Sequence, residues 1–588
     1  MKLLFTFAWA TIAIAHSIHA LKSKASSKSE LNGWYSCSGH TFSDQGSSSG
    51  QLAECAIYNA PLCYPGICKT PSSVDPTIEV FVKRFPATTD PNSASNVWFL
   101  QGGPGYSSSA LEAWMITLHK KLKGTVNVYT MDYRGTGRST KFDCMASQTT
   151  TTGSPSGGEI DPSEVGACAQ DLEFKYGDLS SFSMTSAATD VVAFLSKYSN
   201  GKSNIIYGTS YGTALVERLM HLKPPNVIGY AFDGIATSSG SPEGGVEYAS
   251  VWDIDNGEVG DRFLALCKHD RECRTRFKKN SLSLTIQNLY KAFDKDPNST
   301  CAAMVNNIQA RTINIGGELP SFTLRRALGT MLRDSTLRTF IPPIVYRLHR
   351  CRQKDIDLLP QFFSIYSENA DPKTQDTAYV SMLLNNLITF SEMWETPAPS
   401  MAIMKKRFTD VVISDAGLYT DNKLYCAFSK EKSATCNKLG LGNYDANPIM
   451  YDRDEFWNKS ATIPKGASAL LLSSRLDPQT PHKYAEYFLE ALRGENKELV
   501  TFQYSAHGVL GSTQLIDGDM YSEACGMKLF ASYVKNKGNL EKMDKSCVNE
   551  MPGFNLTIPT DYLNSYMGTK NPYDGVYDQN IIAQYYEQ

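Results

Sequence analysis

The chain has 588 residues and a mass of 65.0 kDa, with 42% hydrophobic and 20% charged residues. That balance excludes wholesale disorder. With 57 Lys and Arg against 60 Asp and Glu, the net charge is −3, which gives no electrostatic footprint for nucleic acid and no block of like charge for an anionic membrane.

Residues 1–20 read as a secretory signal: Lys2, a mostly apolar run over 3–15, then small residues offering cleavage after Ala15 or Ala20. The run is shorter than the roughly 20 residues that span a bilayer. No later stretch is long and apolar enough, and the polar, aromatic 580–588 carries no lipid-anchor signal, so a secreted protein without a membrane anchor is expected. Segments 23–29 and 147–158, rich in Ser, Thr and Gly, read as a tail and an exposed loop. Strand patterns follow at 77–84, 96–100, 126–131 and 204–207, the last leading through 208–212 into a helical stretch over 213–222. Strands alternating with helices imply a parallel sheet covered on both faces.

From about 245 to 400 the pattern is helical, at 261–267, 282–293, 324–332, 339–348 and 376–390. Strand patterns return at 468–472 and 498–504. The simplest architecture is α/β: one mostly parallel central sheet flanked by helices and interrupted by a large helical cap. Residues 31–240 are the first part of the core, 241–455 the cap insertion and 456–588 the second part of the core.

The fourteen cysteines all lie beyond residue 36, which fits an oxidising compartment. Cys63/Cys68, Cys267/Cys273 and Cys525/Cys547 are close in sequence and are expected as disulfides. No Cys/His group has zinc spacing, so no metal site is expected. Asn298, Asn458 and Asn555 head glycosylation acceptor triplets and predict surface loops.

Gly208-Thr209-Ser210-Tyr211-Gly212 has the form Gly-x-Ser-x-Gly. At ordinary Gly and Ser frequencies, a chain this long holds roughly 0.2 such matches by chance. Here an apolar strand enters and an apolar helix leaves, the context of a nucleophile elbow. A serine hydroxyl needs a base and an orienting acid. His507 lies in a loop past the 498–504 strand, and Asp477 in a loop past the 468–472 strand, which gives the order Ser, Asp, His. His482 falls inside a predicted helix over 481–492 and is expected at the surface. Gln101-Gly-Gly-Pro-Gly105 follows the 97–100 strand directly. Pro104 has no N–H, so Gly103, paired with the N–H of Tyr211, is the candidate oxyanion donor.

At these residues the sequence resembles the secreted tripeptidyl-aminopeptidase and proline-iminopeptidase family of α/β-hydrolase serine peptidases. The resemblance rests on Gly102-Gly-Pro-Gly105, Asp132-Tyr-Arg-Gly-Thr-Gly137, Gly208-Thr-Ser-Tyr-Gly-Thr213 and Asp477-Pro-Gln-Thr-Pro481, followed by His507-Gly508. Trp34-Tyr-Ser-Cys37, Ala53-Glu-Cys-Ala56 and the Cys525/Cys547 tail add to it. It implies Ser210 as nucleophile, Asp477 as orienting acid, His507 as base and a helical cap over the site. Asp132–Gly137 would shape the loop beneath the oxyanion hole. Two positions depart from the family: Gln101 stands where many members have His, and Phe390-Ser-Glu-Met-Trp394 lacks the Cys that commonly ends the cap. The family holds a substrate's free amine on acidic cap residues, for which Glu392 is the first candidate and Glu395 the second. The implied activity is a secreted serine exopeptidase that takes peptide substrates, needs no cofactor and releases N-terminal residues or short, tripeptide-like units. The alternatives are a serine carboxypeptidase, an esterase or lipase on the same fold, and a binding module that has lost catalysis.

Overall fold

The computed structural model describes residues 30–586, apart from 44–45, 47–51, 154–158, 238, 241–246, 310–312, 314, 371–373 and 520. The expected leader at 1–20 and the Ser-rich 23–29 lie outside the described residues.

The described chain builds one nine-stranded sheet from β1 (Tyr35–Ser38), β2 (Leu52–Pro61), β3 (Thr77–Phe85), β4 (Asn96–Leu100), β5 (Asn127–Met131), β6 (Asn204–Ser210), β7 (Val227–Ile235), β8 (Ser468–Ser474) and β9 (Lys497–Phe502), in the order β1-β2-β3-β5-β4-β6-β7-β8-β9. The first three strands enter antiparallel and β3 pairs antiparallel with β5; every pairing from β5 through β4 to β9 is parallel. With helices on both faces this is the α/β-hydrolase fold. Strands β4, β5 and β8 are buried at every position, as covering on both faces requires, which is why they read as apolar runs without alternation. Asn96, Asn127 and Asn204 begin β4, β5 and β6 in register. Their amides bond one another across the strands, Asn127 Nδ2 to Asn96 Oδ1 at 3.0 Å and Asn96 Nδ2 to Asn204 Oδ1 at 3.1 Å. These polar groups are buried yet satisfied, and they hold the register where the strands start.

Between β7 and β8 the described chain is helical. The helices Trp252–Leu266, Leu282–Lys295, Pro320–Leu332, Ile341–Arg350 and Gln353–Ala370 share an apolar cluster that includes Ile286, Leu328, Ile344 and Phe362. The helices Met382–Glu392 and Asn422–Ser429 pack with the sheet instead, where Leu387, Phe390 and Phe428 join the cluster of Trp98 and Leu215. The helix expected over 376–390 begins only at Met382, because Ser381 caps it by accepting from Leu384 N, and Gln375–Tyr379 forms a separate 3-10 turn. Part of the loop expected over 147–158 is helical, in Met145–Thr152.

The C-terminal segment departs from the expected second part of the core. Leu556, Ile558, Tyr566 and Met567 join the cap's cluster. The Tyr566 ring packs 5.3 Å from Phe340, and the buried Arg347 guanidinium donates to the carbonyls of Asn571, Pro572 and Gly575. A buried cation needs acceptors on all sides, and the tail supplies them.

All fourteen cysteines stand at bonding distance in seven pairs: Cys63–Cys68, Cys267–Cys273 and Cys525–Cys547, together with Cys37–Cys55, Cys144–Cys168, Cys301–Cys351 and Cys426–Cys436. Asn298 and Asn555 are exposed in turns or loops, whereas Asn458 is half-buried in its turn.

Arg134, just past β5, is fully buried against Asp190 on the helix Met184–Lys197. Its Nε and Nη2 donate to the two carboxylate oxygens at 2.7 and 2.6 Å, and Nη1 donates to Leu62 O and Ser181 O. Replacing Asp190 by Asn strands a buried guanidinium, so Asp190→Asn is expected to lower unfolding stability by about 3–5 kcal/mol in chemical denaturation.

Candidate active site

Ser210 ends β6 and begins the helix Tyr211–Leu222. Its backbone sits at φ 55°, ψ −130°, a conformation that costs a non-glycine residue about 1–3 kcal/mol and persists only when its surroundings impose it. The surroundings are backbones in close contact. A Cβ on Gly208 would stand 2.3 Å from Gly212 O, and one on Gly212 would stand 2.4 Å from Leu100 O. The loop after β4 then crosses directly over the serine, where a Cβ on Gly102 would meet Ser210 Cβ at 2.7 Å. Only glycines allow this crossing.

The same loop is fixed from outside. Asn385 Nδ2, on the helix Met382–Glu392, donates to Pro104 O at 2.9 Å, and Gly105 O accepts from Ser381 N and Thr136 Oγ1. Gly103 sits at φ 120°, and its N–H has no acceptor among the described hydrogen bonds. Gly102 N is taken by the Gln101 side chain. Tyr211 is the first residue of its helix, so its N–H has no intrahelical acceptor. The Tyr211 N–H thus stands at the positive end of the helix that Ser210 precedes, and the Gly103 N–H belongs to the loop that crosses the serine.

Below the loop, Asp132 is buried and collects Ser107 Oγ, Ser108 N, Ser108 Oγ, Arg138 N and Arg138 Nε. Burial opposes its charge, but Arg138 and these donors outweigh that and hold the carboxyl below its usual range. The Asp132–Gly137 segment thus ties the start of the helical turn after the loop to the end of β5.

Asp477 and His507 meet. His507 Nδ1 donates to Asp477 Oδ2 at 2.8 Å. Asp477 Oδ1 accepts from Gln479 N and Thr480 N, while Thr480 Oγ1 donates to Oδ2 at 2.8 Å and lies 3.1 Å from His507 Nδ1. With its Nδ1 proton given to Asp477, the neutral ring keeps Nε2 as its basic nitrogen. Burial by itself would lower the imidazole pKa, but the Asp477 carboxylate beside it, helped by Asp233, raises it. The same pairing outweighs burial at Asp477 and lowers its pKa.

β7 touches both Ser210 and His507. Ser210 pairs with Ile235 in the sheet, and the preceding Gly234 lies against the His507 ring, where a Cβ would stand 2.8 Å from Cε1. No Ser210–His507 bond is among the described hydrogen bonds; such contacts often close only with substrate present. Ser210 is half-buried, and the His507 side chain is 16% exposed. Asp233 at the end of β7 fastens the His507 loop by accepting from Val509 N at 2.8 Å, Leu510 N at 3.0 Å and Tyr207 OH at 2.7 Å.

His482 is buried rather than at the surface, with its Nδ1 3.0 Å from Ser473 Oγ on β8. Glu392 is buried, accepts from Tyr451 OH at 3.1 Å and faces Arg218 Nη2 at 3.4 Å. It lines a small pocket of about 30 Å³ together with Glu217, Arg218 and Glu247. Glu395 lies apart from that cavity and is spent on Arg407 and Ser250.

The cavity holds carboxylates that sequence reading passed over. Glu217 accepts from Thr237 Oγ1 and is hydrogen-bonded by Ser239, whereas among the described residues Glu247 Oε2 is buried with no hydrogen-bond partner. Burial pushes Glu217 up to about 7. Burial, and then the charges of Asp255 and Asp477, push Glu247 well above its ordinary range. The signal for Glu217 was present as a charged pair, Glu217-Arg218, inside an otherwise apolar helix. Asp233 was equally visible as one acid closing an apolar strand.

No family model matches the chain, and no curated protein sequence matches it. Solved structures do. A proline iminopeptidase from Mycobacterium smegmatis shares 11% identity over 82% of this chain and 98% of its own, with a TM-score of 0.31. The structure of VinJ shares 12% identity over 77% and 92%, with a TM-score of 0.32. A monoacylglycerol lipase from Paleococcus ferrophilus shares 12% over 78% and 99%, with a TM-score of 0.29. At these values the activity must be argued from this chain's own residues.

Because Asp477 is what raises His507, the imidazole is expected to titrate above the ordinary value near 6.5. Its NMR titration should move to lower pH in Asp477→Asn, whose amide carries no charge.

Proposed function

We propose that the protein is a secreted serine exopeptidase that removes short N-terminal units from peptides. Ser210 Oγ attacks the scissile carbonyl while His507 Nε2 takes its proton, and Asp477 holds the imidazole in the required tautomer. The Gly103 and Tyr211 N–H groups receive the oxyanion. His507 returns the proton to the leaving amine, leaving an acyl-enzyme on Ser210, and a water activated by the same imidazole then frees the acyl unit.

The observation that carries the exopeptidase reading is the acidic cavity along the nucleophile's own helix. Glu217, Glu247 and Glu392 outnumber Arg218 there, and Arg218 is already bonded to Asp454 Oδ2 at 2.8 Å. A space of about 30 Å³ lined by Glu217, Glu247 and Glu392 suits a group the size of an ammonium. Glu217 follows Ser210 by seven helical residues, about 10 Å along the axis. An extended peptide covers that distance in about three residues, which fits release of a tripeptide-like unit.

Ser210→Ala is expected to lower kcat on peptide amides by a factor on the order of 10^6. Retained turnover would reject the nucleophile. Peptides with a free N-terminus should be cleaved faster than blocked ones. Release from the C-terminus of blocked peptides would instead favour a carboxypeptidase, and preference for matched esters would favour an esterase.

The pH dependence carries a second expectation. Glu217 gains its charge as pH rises through about 7, and a peptide α-amine loses its charge near 7.7–8.0. KM for free-amine substrates should therefore pass through a minimum between those values. The acidic side of that minimum should vanish in Glu217→Gln and be missing for blocked substrates.

A further inference from the structure

A cleft of about 670 Å³ opens beside His507, within the range of peptide-sized sites. Its walls come from three parts of the chain: the end of β9 and the His507 loop, the 333–339 turn of the cap, and the C-terminal tail at 548–562. Resting on the peptidase reading above, we infer that this cleft binds the leaving part of the substrate, the peptide chain on the C-terminal side of the scissile bond.

His507 must deliver a proton to the departing amine, so the leaving chain exits on the imidazole's side, and the cleft begins there. Arg338 in its wall is 7% exposed, and its Nη1 is buried without a hydrogen-bond partner among the described residues, while Nη2 donates to Tyr504 O. Ser335 Oγ, in the same wall, is also buried with no hydrogen-bond partner among the described residues. Burial lowers the Arg338 pKa to about 10, so it stays charged at neutral pH, and Asp334 and Asp517 nearby balance that charge. A neutral acceptor therefore suits the unpaired Nη1 better than a free carboxylate, and a backbone carbonyl of an extended peptide is such an acceptor. Tyr504, Phe554 and Tyr562 give the cleft apolar faces that tolerate varied side chains.

The test compares two substrates that share one acyl unit: a peptide extending several residues past the cleaved bond, and the corresponding p-nitroanilide. Arg338→Gln is expected to lower kcat/KM at least tenfold for the extended peptide and by less than twofold for the anilide. Arg338→Lys should recover part of the loss. Arg338 also holds Tyr504 close to His507, but disturbance of that loop would affect both substrates alike and cancel in the ratio. Ile516→Trp, at an exposed position on the cleft rim, narrows the cleft without touching Arg338 and should lower the same ratio. A selective loss in either variant supports the cleft. An unchanged ratio in both overturns it and leaves the exopeptidase reading standing. A wild-type protein that is labelled at Ser210 by a serine reagent yet cleaves neither substrate overturns the peptidase reading, and this inference with it.

Discussion

Three stretches of backbone come within van der Waals distance of one another at Ser210, and the remainder of the site is arranged around that contact. The end of β4, the start of the helix after β6 and the loop at 101–105 close on the serine because Gly102, Gly208 and Gly212 carry no side chain. The strained backbone of Ser210 follows from this crowding. The same contact holds the loop that carries Gly103 over the serine. A single methyl at any of the three glycines would force the strands apart.

Buried charge supplies the fastening. Asp132 and Asp233 are carboxylates at strand ends whose acceptors are filled by backbone N–H groups and hydroxyls of the loops they hold. One ties down the turn beneath the oxyanion loop and the other the segment carrying His507. Desolvating a carboxylate is costly unless its lone pairs are met, so each loop has few conformations that satisfy the acid. Neither residue needs a chemical step to matter; each fixes distances between groups contributed by different strands.

The cap divides the surroundings of Ser210 into two chemically different sides. Its later helices reach the sheet, bring Glu392 to the nucleophile helix and lock the oxyanion loop through Ser381 and Asn385. Its earlier helices form a separate apolar body, on which the C-terminal tail folds back to wall the cleft next to His507. A small pocket lined by three glutamates thus lies along the helix that begins at Ser210, and a larger, mixed cleft lies beside the imidazole.

Strong local rules made much of this legible in the sequence. Strands buried on both faces read as apolar runs, so β4, β5, β6 and β8 stand where their patterns lie, as do the partly exposed β3 and β9, and Gly-x-Ser-x-Gly between an apolar strand and an apolar helix lies where β6 meets the helix that follows it. β1, β2 and β7 were passed over; β7 contains Gly229 and Gly234, which interrupt its pattern. The acidic cavity, the reversal of the C-terminal tail onto the cap, the burial of His482 and the diversion of Glu395 to Arg407 depend on which helix faces meet. Those choices are made by packing between segments hundreds of residues apart, where no short-range periodicity carries the information. The sequence by itself determined the kinds of group available and their order along the chain, because backbone sterics and hydrophobic periodicity are local. Only the tertiary structure decided which carboxylates were driven from water together and which bonded a cation, because that depends on desolvation in three dimensions.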